Sequence, residues 1–173
     1  MVEPGQKAPD FIAPGIVQGD GRMIELFTEL ESREVVVLVF APAAFVPTTT
    51  ADFCAVRDAE WGGNPRIGVF GISGDSLFSH AAYTREYEFQ FPLVTDFHSG
   101  IAESYDLCAD EWEGHRQIPM RGVVVIDSDW EVRHVESVPE PLEEVSPAPV
   151  ESAGNTLQTL GFDVTVPTVQ YEY

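Results

Sequence analysis

The chain is nearly without lysine. Lys7 is the single copy, and arginine supplies the other eight of nine basic residues, against 29 acidic ones. The formal net charge is -20, which argues against nucleic acid as a partner, because a phosphate backbone needs a basic surface. The scarcity of lysine beside so large an acidic excess fits a protein working in multimolar salt. Screening lengths of about 3 Å there remove most of the self-repulsion. No run of 18 apolar residues is present, so no membrane-spanning helix is expected. The opening residues, Met1 to Lys7, lack the apolar segment of a signal peptide, and a cytoplasmic location is expected.

Cysteine is also scarce. Cys54 and Cys108 lie far apart, with no paired C-x-x-C and no zinc-type spacing. A two-cysteine cytosolic chain needs no structural disulfide, although a Cys54–Cys108 bridge is left open. The four histidines, His80, His98, His115 and His134, form no i, i+4 pair, and each reads as a surface or capping residue. There is no nucleophile elbow, no Gly-rich phosphate loop after a strand and no internal repeat. No metal and no cofactor are expected.

What is present suits one domain with a substantial core. The 173 residues are 44% hydrophobic, too apolar for a disordered acidic chain. Phe11 to Leu26, broken by Gly19 and Gly21, reads as an N-terminal hairpin. Three β-branched runs, Val35 to Phe40, Arg66 to Ser73 and Arg121 to Asp127, read as strands covered on both faces. Helices are expected over Leu26 to Glu31, Thr48 to Glu60, Ser76 to Glu88, Ser99 to Leu107 and Val150 to Leu160. Thr48, Thr49 and Thr50 are candidate caps of the second, with Asp52 in its first turn. Phe91 to Asp96 reads as a short edge strand, because Pro92 cannot donate. Asp110 to Gln117 reads as a charged loop, and Trp130 to Glu136 as a strand returning from a tight turn at Ser128. Strands alternating with helices predict an α/β fold with a mixed central sheet and helices on both faces. Three parts are expected: residues 1–137 as the domain, 138–149 as a Pro- and Glu-rich connector, and 150–173 as a helix and tail packed on the domain.

The stretch from Val35 to Asp58 is the natural place for a site. A buried strand runs through a Pro-rich turn into a helix whose first N–H groups are unpaired, where the dipole favours an anion or thiolate. Several strings around it resemble the peroxiredoxins, the alkyl hydroperoxide reductase and thiol-specific antioxidant group. They are Gly5, Ala8, Pro9, Asp10 and Phe11; Gly71 to Ser76; Phe91 to Asp96; and Arg121 to Asp127. The resemblance covers roughly residues 3–137, is similar to the bacterioferritin-comigratory and one-cysteine branch, and implies a thioredoxin-like fold.

That family's motif is Pro-x-x-x-Thr/Ser-x-x-Cys. Pro42 matches its proline, Val46 stands at the hydroxyl position, and Thr49 stands where the peroxidatic cysteine belongs. Asp52 matches a common acidic position. Cys54 has the spacing of a resolving cysteine, and Arg121 matches the arginine that orients the peroxide. The resemblance implies antioxidant, thiol-dependent peroxidase ancestry. A threonine has no comparable anion near neutral pH, and oxygen cannot play sulfur's redox role, so little or no activity is expected. Two changes in one site fit natural loss better than an engineered knock-out.

Cys54 lies about 140° round the helix from Thr49 and some 7.5 Å along it, away from the dipole end. A small anion or peroxide between the Thr48–Thr50 N–H groups and Arg121 is one expected ligand. A homodimer contact through Phe45 and Phe78 is another expectation, implied by the family. An active thiol enzyme using Cys54 or Cys108 is the alternative. A disulfide reductase is disfavoured, because paired cysteines at a helix start are missing.

Overall fold

The computed structural model describes residues 2–172. Its centre is a seven-stranded mixed sheet in the order β2-β1-β5-β4-β3-β8-β9. The hairpin of β1 (Ile12–Val17) and β2 (Asp20–Glu25) forms one edge. At the centre, β3 (Val35–Ala41) runs parallel to β4 (Ile67–Ser73), and β5 (Leu93–Thr95) continues the parallel set. The other flank is antiparallel: β8 (Arg121–Asp127) pairs with β3, and β9 (Val132–Val138) pairs with β8.

Alternation along β3 divides the core in two, since successive side chains leave a strand on opposite faces. Val35, Val37 and Val39 face α2 (Pro47–Asp58), α3 (Leu77–Tyr87) and α5 (Pro149–Thr159). Val36, Leu38 and Phe40 face α1 (Leu26–Ser32) and α4 (Gly100–Ser104). Every residue of β3 is buried, as its unbroken apolar run requires.

Two expectations fail, each for a tertiary reason. β5 is not an edge strand, because β1 covers it on one side and β4 on the other. Pro92 precedes the strand, so its missing donor is not needed, and its carbonyl accepts the Gly71 N–H at 3.0 Å. The charged loop is instead a two-stranded hairpin, β6 (Cys108–Trp112) with β7 (His115–Pro119), turning at Glu113 and Gly114. Most of its side chains are exposed or half-buried, so it buries no continuous face for an apolar pattern to reveal.

The C-terminal residues belong to the core. Val150, Ala153 and Leu157 of α5 and Phe162 of the tail join the cluster built on Val35, Val37 and Val39. Beyond α5 the chain is extended and docked. Trp61 Nε1 donates to the Thr165 carbonyl at 3.0 Å, and Gln158 Nε2 to that of Val164 at 3.0 Å. Pro167 packs so close to Gly154 that a Cβ there would lie 2.8 Å from the proline ring.

Candidate active site

The turn after β3 leads into α2 without a side-chain cap. Val46 is the N-cap residue, extended at φ -63° and ψ 126°, and Pro47 opens the helix. Proline suits that place, since its missing N–H would have been unpaired anyway. The three threonines therefore do not cap the helix as expected; they point at other partners. Thr48 Oγ1 donates to the Pro141 carbonyl, Thr49 Oγ1 to the Val46 carbonyl at 3.1 Å, and Thr50 Oγ1 shares a 2.6 Å hydrogen bond with the Tyr83 hydroxyl. Thr48 and Thr49 are buried. Phe45, just before the helix, holds the left-handed conformation at φ 67° with its ring 4.7 Å from that of Tyr83. A bulky residue adopts this backbone only when its surroundings impose it.

One helical turn beyond Thr49, Asp52 is buried against Arg121 of β8. Arg121 Nε donates to Oδ2 at 2.7 Å and Nη2 to Oδ1 at 2.8 Å. The remaining donors are also taken: Nη1 by the Glu143 carbonyl at 2.8 Å, and Nη2 again by the Tyr171 hydroxyl at 2.8 Å. Tyr171 in turn donates to the Val145 carbonyl at 2.8 Å, and its ring lies 5.4 Å from the guanidinium. Burial works against both charges. It raises the Asp52 carboxyl, a rise that the Arg121 hydrogen bonds oppose. On Arg121 the Asp52 contacts outweigh burial and hold the guanidinium charged.

Pro42, Val46, Thr49 and Arg121 are all buried, and Arg121 spends its donors on the chain's own groups rather than on Thr49. The place expected for an anion is filled by the chain's own Asp52, Tyr171 and two connector carbonyls. Sequence reasoning marked Asp52 and Arg121 and missed Tyr171, Pro141, Glu143 and Val145. Three of those four act through backbone carbonyls, which any residue supplies. The signal for Tyr171 was the tail's apolar content, Phe162, Val164, Val166 and Val169.

Neither sulfur lies at the N-terminal end of α2. Cys54 is half-buried and lines a groove of about 450 Å³ between α2 and the tail, with Ala51, Thr165 and Gln170. Burial pushes its thiol up, only partly offset by Arg57. Cys108 opens β6, and burial, Glu103 and Asp96 all push its thiol up. The two pack against clusters on opposite faces of the sheet, so the disulfide left open by the sequence does not form.

His80 departs from its expected surface place. It is buried on α3, with Nε2 2.5 Å from Ser73 Oγ and Nδ1 3.2 Å from Thr95 Oγ1. Burial pushes its pKa down to about 4, so the ring is neutral. The pair it makes with Ser73 is sealed from solvent and ties the ends of β4 and β5 to α3. Asp75 links this region to the active-site turn by accepting the Ala44 N–H at 2.7 Å.

A family model, the AhpC/TSA family, matches residues 4–135. The chain is 30% identical over 141 residues to alkyl hydroperoxide reductase C of Buchnera aphidicola subsp. Schizaphis graminum, an overlap of 75% of this chain and 68% of that one. It is 33% identical over 138 residues to a peroxiredoxin of Thermoplasma volcanium, covering 75% of this chain and 62% of that one. Among solved structures, peroxidoxin BcpB from Mycobacterium tuberculosis superposes with a TM-score of 0.75 at 28% identity, covering 92% of this chain and 97% of that one. Among the described residues, no helix is long and apolar enough to cross a membrane.

Proposed function

The chain belongs to the AhpC/TSA family, the peroxiredoxins, and from that premise we propose that it is a member silenced at its peroxidatic position. The relatives' names, alkyl hydroperoxide reductase and peroxiredoxin, point to thiol-dependent antioxidant chemistry as its ancestry. That chemistry needs a thiolate to take the outer peroxide oxygen, forming a sulfenic acid and releasing water or an alcohol. Thr49 occupies the thiol's place. The observation that carries the reading is its hydroxyl, which is buried and donates to the Val46 carbonyl instead of facing a base. Val46 also lacks the hydroxyl the family motif puts there. An unactivated alcohol is not ionised at neutral pH and has no sulfenic-acid equivalent.

The protein then serves as a cytoplasmic binding or dimerisation module. Phe45 and Phe78 stand exposed, Phe78 by 88%, and would meet the same residues of a second copy. Sedimentation of the purified chain tests this, with a homodimer expected and a Phe78→Asp variant shifting it towards monomer.

Peroxide consumption with a thiol reductant tests the silencing. A rate no greater than that of free cysteine is expected. A much faster rate, abolished by Cys54→Ser or by Cys108→Ser, would replace this reading with a working thiol enzyme.

A further inference from the structure

We propose that the C-terminal tail is a built-in plug of the cleft at Thr49, latched by Tyr171, and that breaking this latch opens the cleft to small solutes. The proposal deepens the reading of a silenced site, on which it rests for the cleft's ancestry but not for its geometry.

The plug has two layers. The connector lies directly on the site: the Pro141 carbonyl accepts from Thr48, and the Glu143 carbonyl from Arg121. Tyr171 then bridges the layers, accepting from Arg121 Nη2 and donating to the Val145 carbonyl, both at 2.8 Å. One hydroxyl therefore ties the tail, the connector and the buried arginine together. Its removal leaves Arg121 with one fewer acceptor and Val145 with none from this source, in a place where unpaired polar groups are costly.

Hydrogen bonds from Trp61 and Gln158 and the packing of Pro167 on Gly154 hold the tail as far as Pro167. Between Pro167 and Tyr171 its residues alternate between covered and exposed. The groove beneath, lined by Cys54 and Gln170, is only partly filled. Such a segment is expected to open at far less cost than the sheet, and the Arg121–Tyr171 contact sets how often it does so. Arg121 keeps its bidentate bond to Asp52 when the tail leaves, so its charge is already met. The ligand class of the opened cleft is therefore a small neutral molecule with a hydrogen-bond acceptor, such as a hydroperoxide or an alcohol, rather than an anion.

The test reads access, not turnover. In a Thr49→Cys background, iodoacetamide labelling of the introduced thiol is followed by peptide mass spectrometry, with and without Tyr171→Ala or Tyr171→Phe. Tyr171→Ala is expected to speed labelling by about tenfold to a hundredfold, from the loss of a charge-assisted bond and a ring contact. Tyr171→Phe, which keeps the ring over the guanidinium, is expected to give a smaller rise, and it carries the test if the alanine variant fails to fold. Cys108, across the sheet, should label at an unchanged rate. Equal rates with and without the Tyr171 change would overturn the proposal, as would an equal rise at Cys108, which would mean general loosening. Peroxide turnover by the unaltered protein would sink the silenced-site reading yet leave these labelling ratios to judge the plug alone.

Discussion

Arg121 and Asp52 meet in a bidentate ion pair, at 2.7 and 2.8 Å, with both side chains sealed from solvent. The arginine that the family resemblance assigns to a peroxide here ties β8 to α2. Fork-to-fork geometry of this kind is among the stronger polar contacts in proteins, and it binds β8 to the helix that carries Thr49. Removing one partner strands a buried charge. Asp52→Ala is expected to lower stability by about 3–5 kcal/mol, read from denaturant unfolding. Replacing both residues together with apolar side chains of similar volume should cost far less. A loss below about 1 kcal/mol for Asp52→Ala would mean that the pair is not integral to the fold.

On the silenced-site reading, a thiol placed at position 49 should not by itself make a full enzyme. Thr49→Cys supplies a thiol, but Val46 still lacks a hydroxyl and Tyr171 still occupies Arg121. Partial peroxidase activity is expected from the single change. Adding Val46→Thr should raise it by about tenfold, the worth of one well-placed hydrogen bond. Full activity from Thr49→Cys alone would show that Val46 is harmless.

His80 predicts an acid limit. Its pKa is about 4 in the folded protein, pushed down by burial from an ordinary 6.5. Between those values the unfolded chain binds the proton and the folded one does not. Its contribution is therefore complete above pH 6.5 and is lost as pH falls towards 4, by about 3 kcal/mol in total. Denaturant midpoints measured from pH 7 to 4 should fall, and the His80→Gln variant should show a shallower slope. Parallel slopes would rule out His80 as the source.

The acid excess predicts a salt-dependent fold. With a net charge of -20, self-repulsion acts over about 10 Å at 0.1 M salt and about 3 Å at 1 M. The melting temperature should climb with potassium chloride, each recovered kcal/mol adding about 2–4 °C. A melting temperature indifferent to salt would contradict the reading from composition.

Much of the fold was legible because its signals are local and periodic. The β-branched runs Val35 to Phe40 and Arg66 to Ser73 read as buried strands and form β3 and β4, and Gly19 and Gly21 marked the first hairpin. The residue that the motif's spacing puts in the cysteine's place was equally plain: Thr49 follows Pro42 by seven residues, whatever the fold does around it. The covalent chemistry open to a hydroxyl or a thiol belongs to the side chain itself, so the sequence alone determined that position 49 carries an alcohol and not a sulfur.

Only the tertiary structure decided what became of the space around that position. Pro92 looked like an edge signal until β1 and β4 closed on either side of β5. Arg121 looked free for a ligand until Asp52, Glu143 and Tyr171, up to 69 residues away along the chain, took its donors. Connector carbonyls carry no sequence signature, and a tyrosine near a chain end reads the same whether it is solvated or latched. Long-range hydrogen bonds depend on where folding brings the backbone, and that is why the partners of Arg121 could be seen only in three dimensions.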